Sequence, residues 1–144
     1  MPNHCFNTIA FDGNVSAQEI LKDFISKDGG LDFNKIIPCP PHVYMGMLYA
    51  DHESRFGKNT WYEWNKENWG TKWNAYDTEF DGNCVRFTTA WCPPNPIIVA
   101  IANLTKKNFT FYYEDEGEEW KSRDRWELVG GNMEVKFDCP EVEQ

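Results

Sequence analysis

The amino-acid sequence predicts an α+β fold in which strands and helices follow one another in the order βαββαβ. Three kinds of observation support that order: strand-like alternation of apolar residues, apolar stripes at helical spacing, and Gly- or Pro-rich turns between these segments. Two helices then cover one face of an antiparallel sheet, as in a ferredoxin-like sandwich. We expect residues 1–144 to form a single domain of this kind.

The chain is expected to open with a strand and then a helix. Residues 5–11 alternate loosely and stop at Asp12 and Gly13, which is typical of a strand ending in a turn. Ser16 is a candidate N-cap, with Glu19 three residues later completing a capping box. The Gly pair 29–30 is expected to end the helix. Its apolar face would comprise Ile20, Leu21, Phe24 and Ile25.

Residues 31–76 are expected to form an insert after the first helix. Its first part, 31–41, is predicted to be extended or irregular, because prolines 38, 40 and 41 oppose regular pairing. Residues 42–58 show no clear period. Thr60 is a candidate cap for a short helix that ends near Trp69 and Gly70.

The second half of the chain is punctuated by two strong turn signals. Asp81, Gly82 and Asn83 predict a hairpin between residues 78–80 and 84–89. Gly130 and Gly131 predict a second hairpin, which extends the fold at residues 118–138.

A helix and a strand are expected between these two hairpins. Prolines 93, 94 and 96 suit the first turn of a helix. Residues 109–114 alternate as in a strand. The apolar stripe of the helix would comprise Ile97, Ile98, Ala100, Ile101 and Leu104.

Charge and composition restrict the partners. A net charge of -9 disfavours extended nucleic acid, because affinity for a polyanion comes largely from Lys and Arg. No apolar run approaches the ~20 residues of a membrane span, and the first residues lack the pattern of a secretory signal. The five cysteines are widely spaced, which favours reduced thiols in the cytoplasm over disulfides or a metal site. We therefore expect no membrane contact, no metal and no cofactor.

Four segments carry a resemblance that spans nearly the whole chain. The segments are 1–7 (MPNHCFN), 33–38 (FNKIIP), 68–75 (NWGTKWNA) and 88–94 (TTAWCPP). Together they resemble the YubB ferredoxin-like domain family of phage and plasmid proteins, although that family usually has Trp at the position of His4 and Ser at that of Cys92. The resemblance implies the same fold and a mobile genetic context, and it implies no chemistry, because the family has no established general activity.

The Trp-rich segment 61–77 is the main candidate for a ligand or partner site. In one interpretation its Trp rings stack on a planar ligand such as a nucleobase, while nearby amides and a lysine bond its polar groups. In the interpretation that we favour, the Trp side chains cover the open face of the sheet. The candidate site residues are Trp61, Trp64, Asn68, Trp69, Lys72, Trp73, Asn74, Asp77 and Trp91.

Catalysis and RNA binding receive less support. A nucleophilic Cys5, Cys84 or Cys92 would need one of the three histidines, His4, His42 or His52, folded beside it as a base, and no local signature indicates such a pair. We therefore expect no enzyme. Phe87 and Phe111 on the strands suggest a base-stacking platform, but the basic-and-aromatic signature of RNA-recognition domains is missing.

The leading hypothesis is an accessory protein of a phage or plasmid that binds a host protein in the cytoplasm and inhibits or redirects it. A component of a defence system is one such target. Two alternatives are a small-ligand binder that sequesters a nucleotide-like signal and a module for single-stranded RNA or DNA. The oligomeric state, monomer or homodimer, is left open by the sequence.

Overall fold

The computed structural model describes residues 4–40, 61–116 and 121–138. These ranges hold six strands and four α-helices, with a single 3-10 turn after the first helix. The strands are β1 (His4–Phe11), β2 (Tyr76–Asp81), β3 (Cys84–Ala90), β4 (Phe109–Asp115), β5 (Lys121–Val129) and β6 (Asn132–Asp138). The helices are α1 (Ala17–Ile20), α2 (Phe33–Ile36), α3 (Trp61–Asn68) and α4 (Asn95–Thr105), and the 3-10 turn is Lys22–Phe24.

All six strands form one antiparallel sheet in the order β2-β3-β1-β4-β5-β6. The first four positions of that order place β1 and β3 at the centre, as a ferredoxin-like sandwich requires. The β5–β6 hairpin lengthens the sheet beyond β4. The predicted α+β ferredoxin-like fold with a C-terminal hairpin extension is confirmed.

The helices cover one face of this sheet. Along β1, Cys5, Asn7, Ile9 and Phe11 are buried, while the residues between them point to the other face. The buried side joins the apolar residues of α4 and the facing positions of β3, β4 and β5 in one core. Burial of this aromatic-rich layer is the main driving force for the fold.

Asn7 is a polar residue at the centre of this core. Its side-chain amide donates to the backbone oxygens of Cys5 and Phe87, at 3.1 and 3.3 Å, and to the Thr89 hydroxyl at 3.0 Å. A buried amide without such acceptors would cost free energy, and here the bonds to Phe87 and Thr89 also tie β1 to β3.

Both predicted hairpins are present. The turn at Gly82 and Asn83 joins β2 to β3, and Gly82 adopts a φ of 59°. The turn at Gly130 and Gly131 joins β5 to β6, with φ values of 60° and 90°. Glycine reaches these positive φ values without the steric cost that a Cβ brings, which is why the sequence signals succeed.

The prediction of a long first helix is wrong. Ser16 does cap α1, accepting from the backbone N–H of Glu19, but the helix ends at Ile20 and passes into the 3-10 turn. The chain then becomes extended, and Ile25 pairs with Leu31. The cause is local: the Asp28 carboxylate accepts from the Ser26 hydroxyl and from the backbone N–H of residue 30, so a tight turn competes with the helix.

The prediction that residues 31–41 are extended or irregular is wrong for Phe33–Ile36, which form α2. Asp32 caps the short helix α2, accepting from the backbone N–H of Asn34. Phe33 and Ile36 of this helix are buried. The proline signal thus acts only beyond α2, while an Asp N-cap starts a helical turn before it. Residues 42–58 and the cap proposed at Thr60 lie outside the described residues.

Helix α4 begins beside the prolines, as predicted, with Pro94 at its N-cap. Ile97, Ile98 and Ile101 of the predicted stripe are buried and Ala100 is half-buried, but Leu104 is 58% exposed. The stripe rotates away from the sheet near the C-terminus of the helix, and Ala102 takes the buried position there. In the described parts of the chain, no helix has the length and apolarity to cross a bilayer.

Candidate functional site

Trp69 is a core residue. Its side chain is 5% exposed, its ring meets that of Phe33 edge to face at 5.8 Å between centroids, and its Nε1 donates to the backbone oxygen of Ile37 at 2.9 Å. Phe33 in turn contacts Phe87 on β3 at 6.0 Å. The indole is therefore fully used by the fold, with both its surface and its donor satisfied.

The favoured interpretation of the Trp-rich segment needs a correction. Its buried Trp does not cover the open face of the sheet; Trp69 packs on the same face as the helices. The reason is that Trp69 packs on Phe33 of α2, whose ring in turn contacts Phe87 on the helix-covered side of β3. Trp64, half-buried, meets Trp69 edge to face at 5.5 Å.

Hydrogen bonds connect the loop after Trp69 to the end of β3 and the loop that follows it. The Thr71 hydroxyl donates to the backbone oxygen of Ala90 at 2.9 Å, and the Cys92 thiol lies 2.9 Å from the backbone oxygen of Gly70. The Thr89 hydroxyl donates to the backbone oxygen of Cys92 at 2.7 Å. These bonds fix the relative positions of the two loops that carry most of the predicted site.

The two predicted amides are engaged by the chain itself. Asn68 donates to the backbone oxygen of Trp64 at 3.0 Å. Asn74 accepts from the backbone N–H groups of Phe33 and Ala75, both at 2.8 Å, and donates to Asp32 at 2.8 Å. Asn74 thus positions the start of α2. A residue missed from the sequence, Asn65, is buried and donates to the backbone oxygen of Lys72 at 2.8 Å; no sequence pattern marks it.

Three other predicted residues, Lys72, Trp73 and Trp91, form a surface cluster that is called here the Trp73–Trp91 patch. The two indoles are 40% and 54% exposed. The Lys72 ammonium lies 4.5 Å from the Trp73 ring centroid and 5.8 Å from that of Trp91, within cation–π range of both. One cation therefore bridges two aromatic side chains from separate loops.

Trp91 has an unusual backbone. Its φ is 74°, in the left-handed region that an aromatic residue rarely adopts. The residues on either side are fixed, because Ala90 accepts from Thr71 and from the backbone N–H of Cys92. The strained conformation directs a large apolar side chain into solvent instead of into the core.

Asp77 belongs to a different feature, a cleft of about 500 Å³ beside strand β2. Asp77 has a φ of 53°, at the point where the pairing of β2 with β3 shifts register. Asp28 and Asp32 also line the cleft, together with the Gly29–Gly30 turn. Its lining is polar and acidic. For Trp61, the structure describes the helical backbone and not the side chain.

Phe87 and Phe111 cannot form the base-stacking platform suggested by the sequence. Phe87 and Phe111 are buried beneath the helices, because their side chains point to the covered face of the sheet. The exposed aromatic residues on the opposite face are Phe6 and Tyr112. Arg86, near them, forms ion pairs with Glu79 and Asp81.

Two of the three candidate nucleophiles, Cys5 and Cys92, lie in environments that disfavour the thiolate. Burial raises the pKa of Cys5 to about 12 and also raises the pKa of Cys92. His4 and Cys5 are consecutive strand residues and so point to opposite faces. The His4 ring instead contacts the Tyr76 hydroxyl at 2.5 Å. His42 and His52 lie outside the described residues, and the described ones include no group of three or more metal-ligating side chains.

The fold and this surface define a ferredoxin-like α+β protein with an exposed aromatic patch at one end of its sheet. A family model described as the ferredoxin-like domain in Api92-like proteins matches residues 68–140. That match covers half of the chain, from the end of α3 through β6, and the chain belongs to this family. Searches of curated proteins and of solved structures gave no match.

Proposed function

We propose that this chain is a binding protein that attaches to another protein through the Trp73–Trp91 patch. The observation that supports the proposal is the patch itself: two exposed indoles held around one lysine at the surface. Trp is strongly enriched among the residues that dominate protein–protein binding energy, because its indole buries a large apolar area with few rotatable bonds. Lysine at the centre adds a charge that a partner carboxylate can meet.

Preorganisation of Trp91 supports the same role. A non-glycine residue at positive φ costs on the order of 1–3 kcal/mol, and the fold holds Trp91 there without burying its side chain. The bonds through Thr71, Thr89 and Cys92 keep the loop in this conformation. A ring that is already placed loses less conformational entropy when a partner binds.

The genetic context implied by the resemblance completes the proposal. The chain would be a phage- or plasmid-encoded accessory protein that acts in the host cytoplasm, where it binds a host protein and inhibits or redirects it. Components of host defence systems are candidate targets. A net charge of -9 favours a partner with a basic rim, because complementary potentials accelerate association. The raised pKa values of Cys5 and Cys92 support binding over thiol chemistry.

A second candidate function, small-ligand binding, is supported by the cleft beside β2. Its volume of about 500 Å³ lies within the usual range for ligand pockets. The acidic lining, which includes Asp28 and Asp77, favours a neutral or cationic ligand and opposes the phosphates of a nucleotide. Thermal-shift screening with nucleotides and with polyamines tests this candidate. Stabilisation by a ligand that Asp77→Asn abolishes would support it.

Affinity capture from a host lysate tests the leading proposal. The bait proteins are the wild type, the double variant W73A/W91A, and Y112A as a matched control, since Tyr112 is an exposed aromatic residue on another surface. We expect a stoichiometric partner with the wild type and with Y112A, retained at high salt, and its loss with W73A/W91A. Equal thermal stability of the three proteins must accompany this result. Capture that is unchanged by W73A/W91A, or the recovery of no partner, would contradict the proposal.

A further inference from the structure

The two edges of the sheet differ. Strand β2 forms an irregular edge: its pairing shifts register between Tyr76 and Glu79, and the backbone N–H of Leu31 donates to the Thr78 hydroxyl. Strand β6, Asn132–Asp138, pairs with β5 in unbroken register over all of its seven residues. Within the described ranges, no strand lies on its outer side. A regular outer strand presents unpaired backbone groups that can pair with another chain.

The turn determines which backbone groups face outward. Val129 and Asn132 flank a two-residue turn, so they form the hydrogen-bonded pair that closes the hairpin. Pairs alternate along an antiparallel ladder between hydrogen-bonded and non-hydrogen-bonded. Met133, Val135 and position 137 therefore direct their backbone N–H and C=O groups away from β5, to the free edge.

The sequence of β6 is complementary to itself in one antiparallel register. When Val135 lies opposite Val135 of a second copy, all seven residues are paired, and the outward groups at 133, 135 and 137 meet each other. In that register Glu134 lies opposite Lys136 of the second copy, and Lys136 opposite its Glu134. These are non-hydrogen-bonded pairs, in which side chains lie closest.

The neighbouring registers are disfavoured by charge. The outward-facing backbone groups of one copy must pair with those of the other. The two nearest alternative registers therefore move the two-fold axis from Val135 to residue 134 or to residue 136. One such shift places Glu134 opposite Glu134, and the other places Lys136 opposite Lys136. Like charges directly opposite one another are destabilising. The charges of β6 thus select the register that also pairs the most residues.

Within the monomer, Glu134 and Lys136 each face a residue of like charge on β5. Glu134 lies directly opposite Glu127 on β5, and Lys136 directly opposite Arg125. The compensation inside the hairpin is diagonal, with Lys136 Nζ 3.5 Å from Glu127 Oε1. A second copy would supply each of Glu134 and Lys136 with an opposite charge directly across the strand.

We propose that two copies of this chain associate through their β6 edges. Their six-stranded sheets would join into one sheet of twelve strands around a two-fold axis at Val135. About six backbone hydrogen bonds would form, two for each outward-facing pair. Both helical layers then lie on the same side of the joined sheet, because residues opposite one another in a ladder share a face. This proposal is independent of the proposed partner.

Charge reversal at the edge tests the proposal by sedimentation velocity and light scattering over a range of concentrations. We expect the wild type to show about twice the chain mass of 16.9 kDa. E134K and K136E each create two like-charge pairs per dimer, so each should raise the dissociation constant at least about tenfold. Exposed matched controls, E67K and K107E, should leave it unchanged.

Variants that restore complementary charges at the β6 edge distinguish charge repulsion between the two copies from a loss of folding. The double variant E134K/K136E regains complementary pairs and should dimerise like the wild type. Mixing E134K with K136E should give a heterodimer, since each chain then supplies two equal charges to the other. A wild type that stays monomeric at every concentration would overturn the proposal. So would a dimer unaffected by both single reversals, or single variants that fail to associate when mixed.

Discussion

Gly70 and Pro96 approach so closely that a Cβ on Gly70 would lie 2.7 Å from Cδ of Pro96. Gly70 follows α3 and Pro96 begins the first turn of α4. This contact joins the Trp-rich insert to the second helix of the sandwich. Only a residue without a side chain fits there, and its φ of 81° makes the same demand on the backbone.

Gly70→Ala should therefore destabilise the fold by about 2–4 kcal/mol, the sum of backbone strain and overlap with the proline ring. Gly130→Ala is the matched control, because Gly130 also has positive φ but no atom within 4 Å of an added Cβ. The control should lose only the backbone component, about 1–2 kcal/mol. Urea denaturation measures both. Equal losses would show that the contact with Pro96 relaxes freely.

Truncation of Trp69 should destabilise the fold far more than truncation of Trp73. Trp69→Ala removes a buried indole and should cost about 3–5 kcal/mol. Trp73→Ala removes an exposed indole, and the free energy of unfolding should change by less than about 1 kcal/mol. Denaturant titrations followed by circular dichroism give both values. A large loss of stability with Trp73→Ala would assign that residue to the core and weaken its role in the patch.

Asn7→Ala should cost about 2–3 kcal/mol, because the removed amide donates to two backbone oxygens and to the Thr89 hydroxyl in the core. Asn103→Ala, on the exposed side of α4, is the control and should have little effect. Thermal and urea denaturation provide the measurement. Asn7→Ala with wild-type stability would mean that the core supplies other donors to these acceptors.

Asp124→Asn should stabilise the protein at neutral pH. Burial raises the pKa of Asp124, so its ionised form is disfavoured in the folded state. That group favours folding only where it is protonated, below its ordinary pKa of 3.8, and the contribution is lost as pH rises through the raised pKa. The gain in stability from Asn should therefore shrink as the pH falls toward 4. Urea denaturation at several pH values measures it.

Asp12→Asn is a control whose effect on stability should have the opposite sign to that of Asp124→Asn. The hydrogen bond from Arg125 lowers the pKa of Asp12, so this pair stabilises the fold above pH 3.8 and is lost as the pH falls through the lowered pKa. Because Asp12 is about half exposed, the loss at neutral pH should be small. Identical pH trends for the Asp12 and Asp124 variants would contradict both assignments.

Elements defined by local chemistry were predictable from the sequence. The hairpins follow from glycines that the turns require, at 82 and at 130–131, and α4 follows from its proline-marked start. The length of the first helix was not predictable in this way. Its apolar spacing suits a helix, but the Ser26–Asp28 turn, a bond between side chains, ends it early.

The roles of individual residues in the Trp-rich segment depend on contacts that are distant in sequence. Trp69 and Trp73 are four positions apart, yet Ile37 and Phe33 bury the first while the second stays exposed. Asn74 has a side chain suited to a ligand contact, but it accepts a hydrogen bond from the first residue of α2 instead. In this segment, only the packing of the insert on the helical side of β3 distinguishes surface residues from core residues.

The width of the sheet sets the distance between the proposed binding patches of two associated chains. The Trp73–Trp91 patch lies beside β2 and β3, four to five strand spacings from β6, which is about 19–24 Å. Joined through β6, two chains would carry their patches about 45–50 Å apart at opposite ends of one continuous sheet. Such a bivalent clamp would hold a symmetric or repetitive target far more tightly than either patch alone, because the second contact forms at high local concentration.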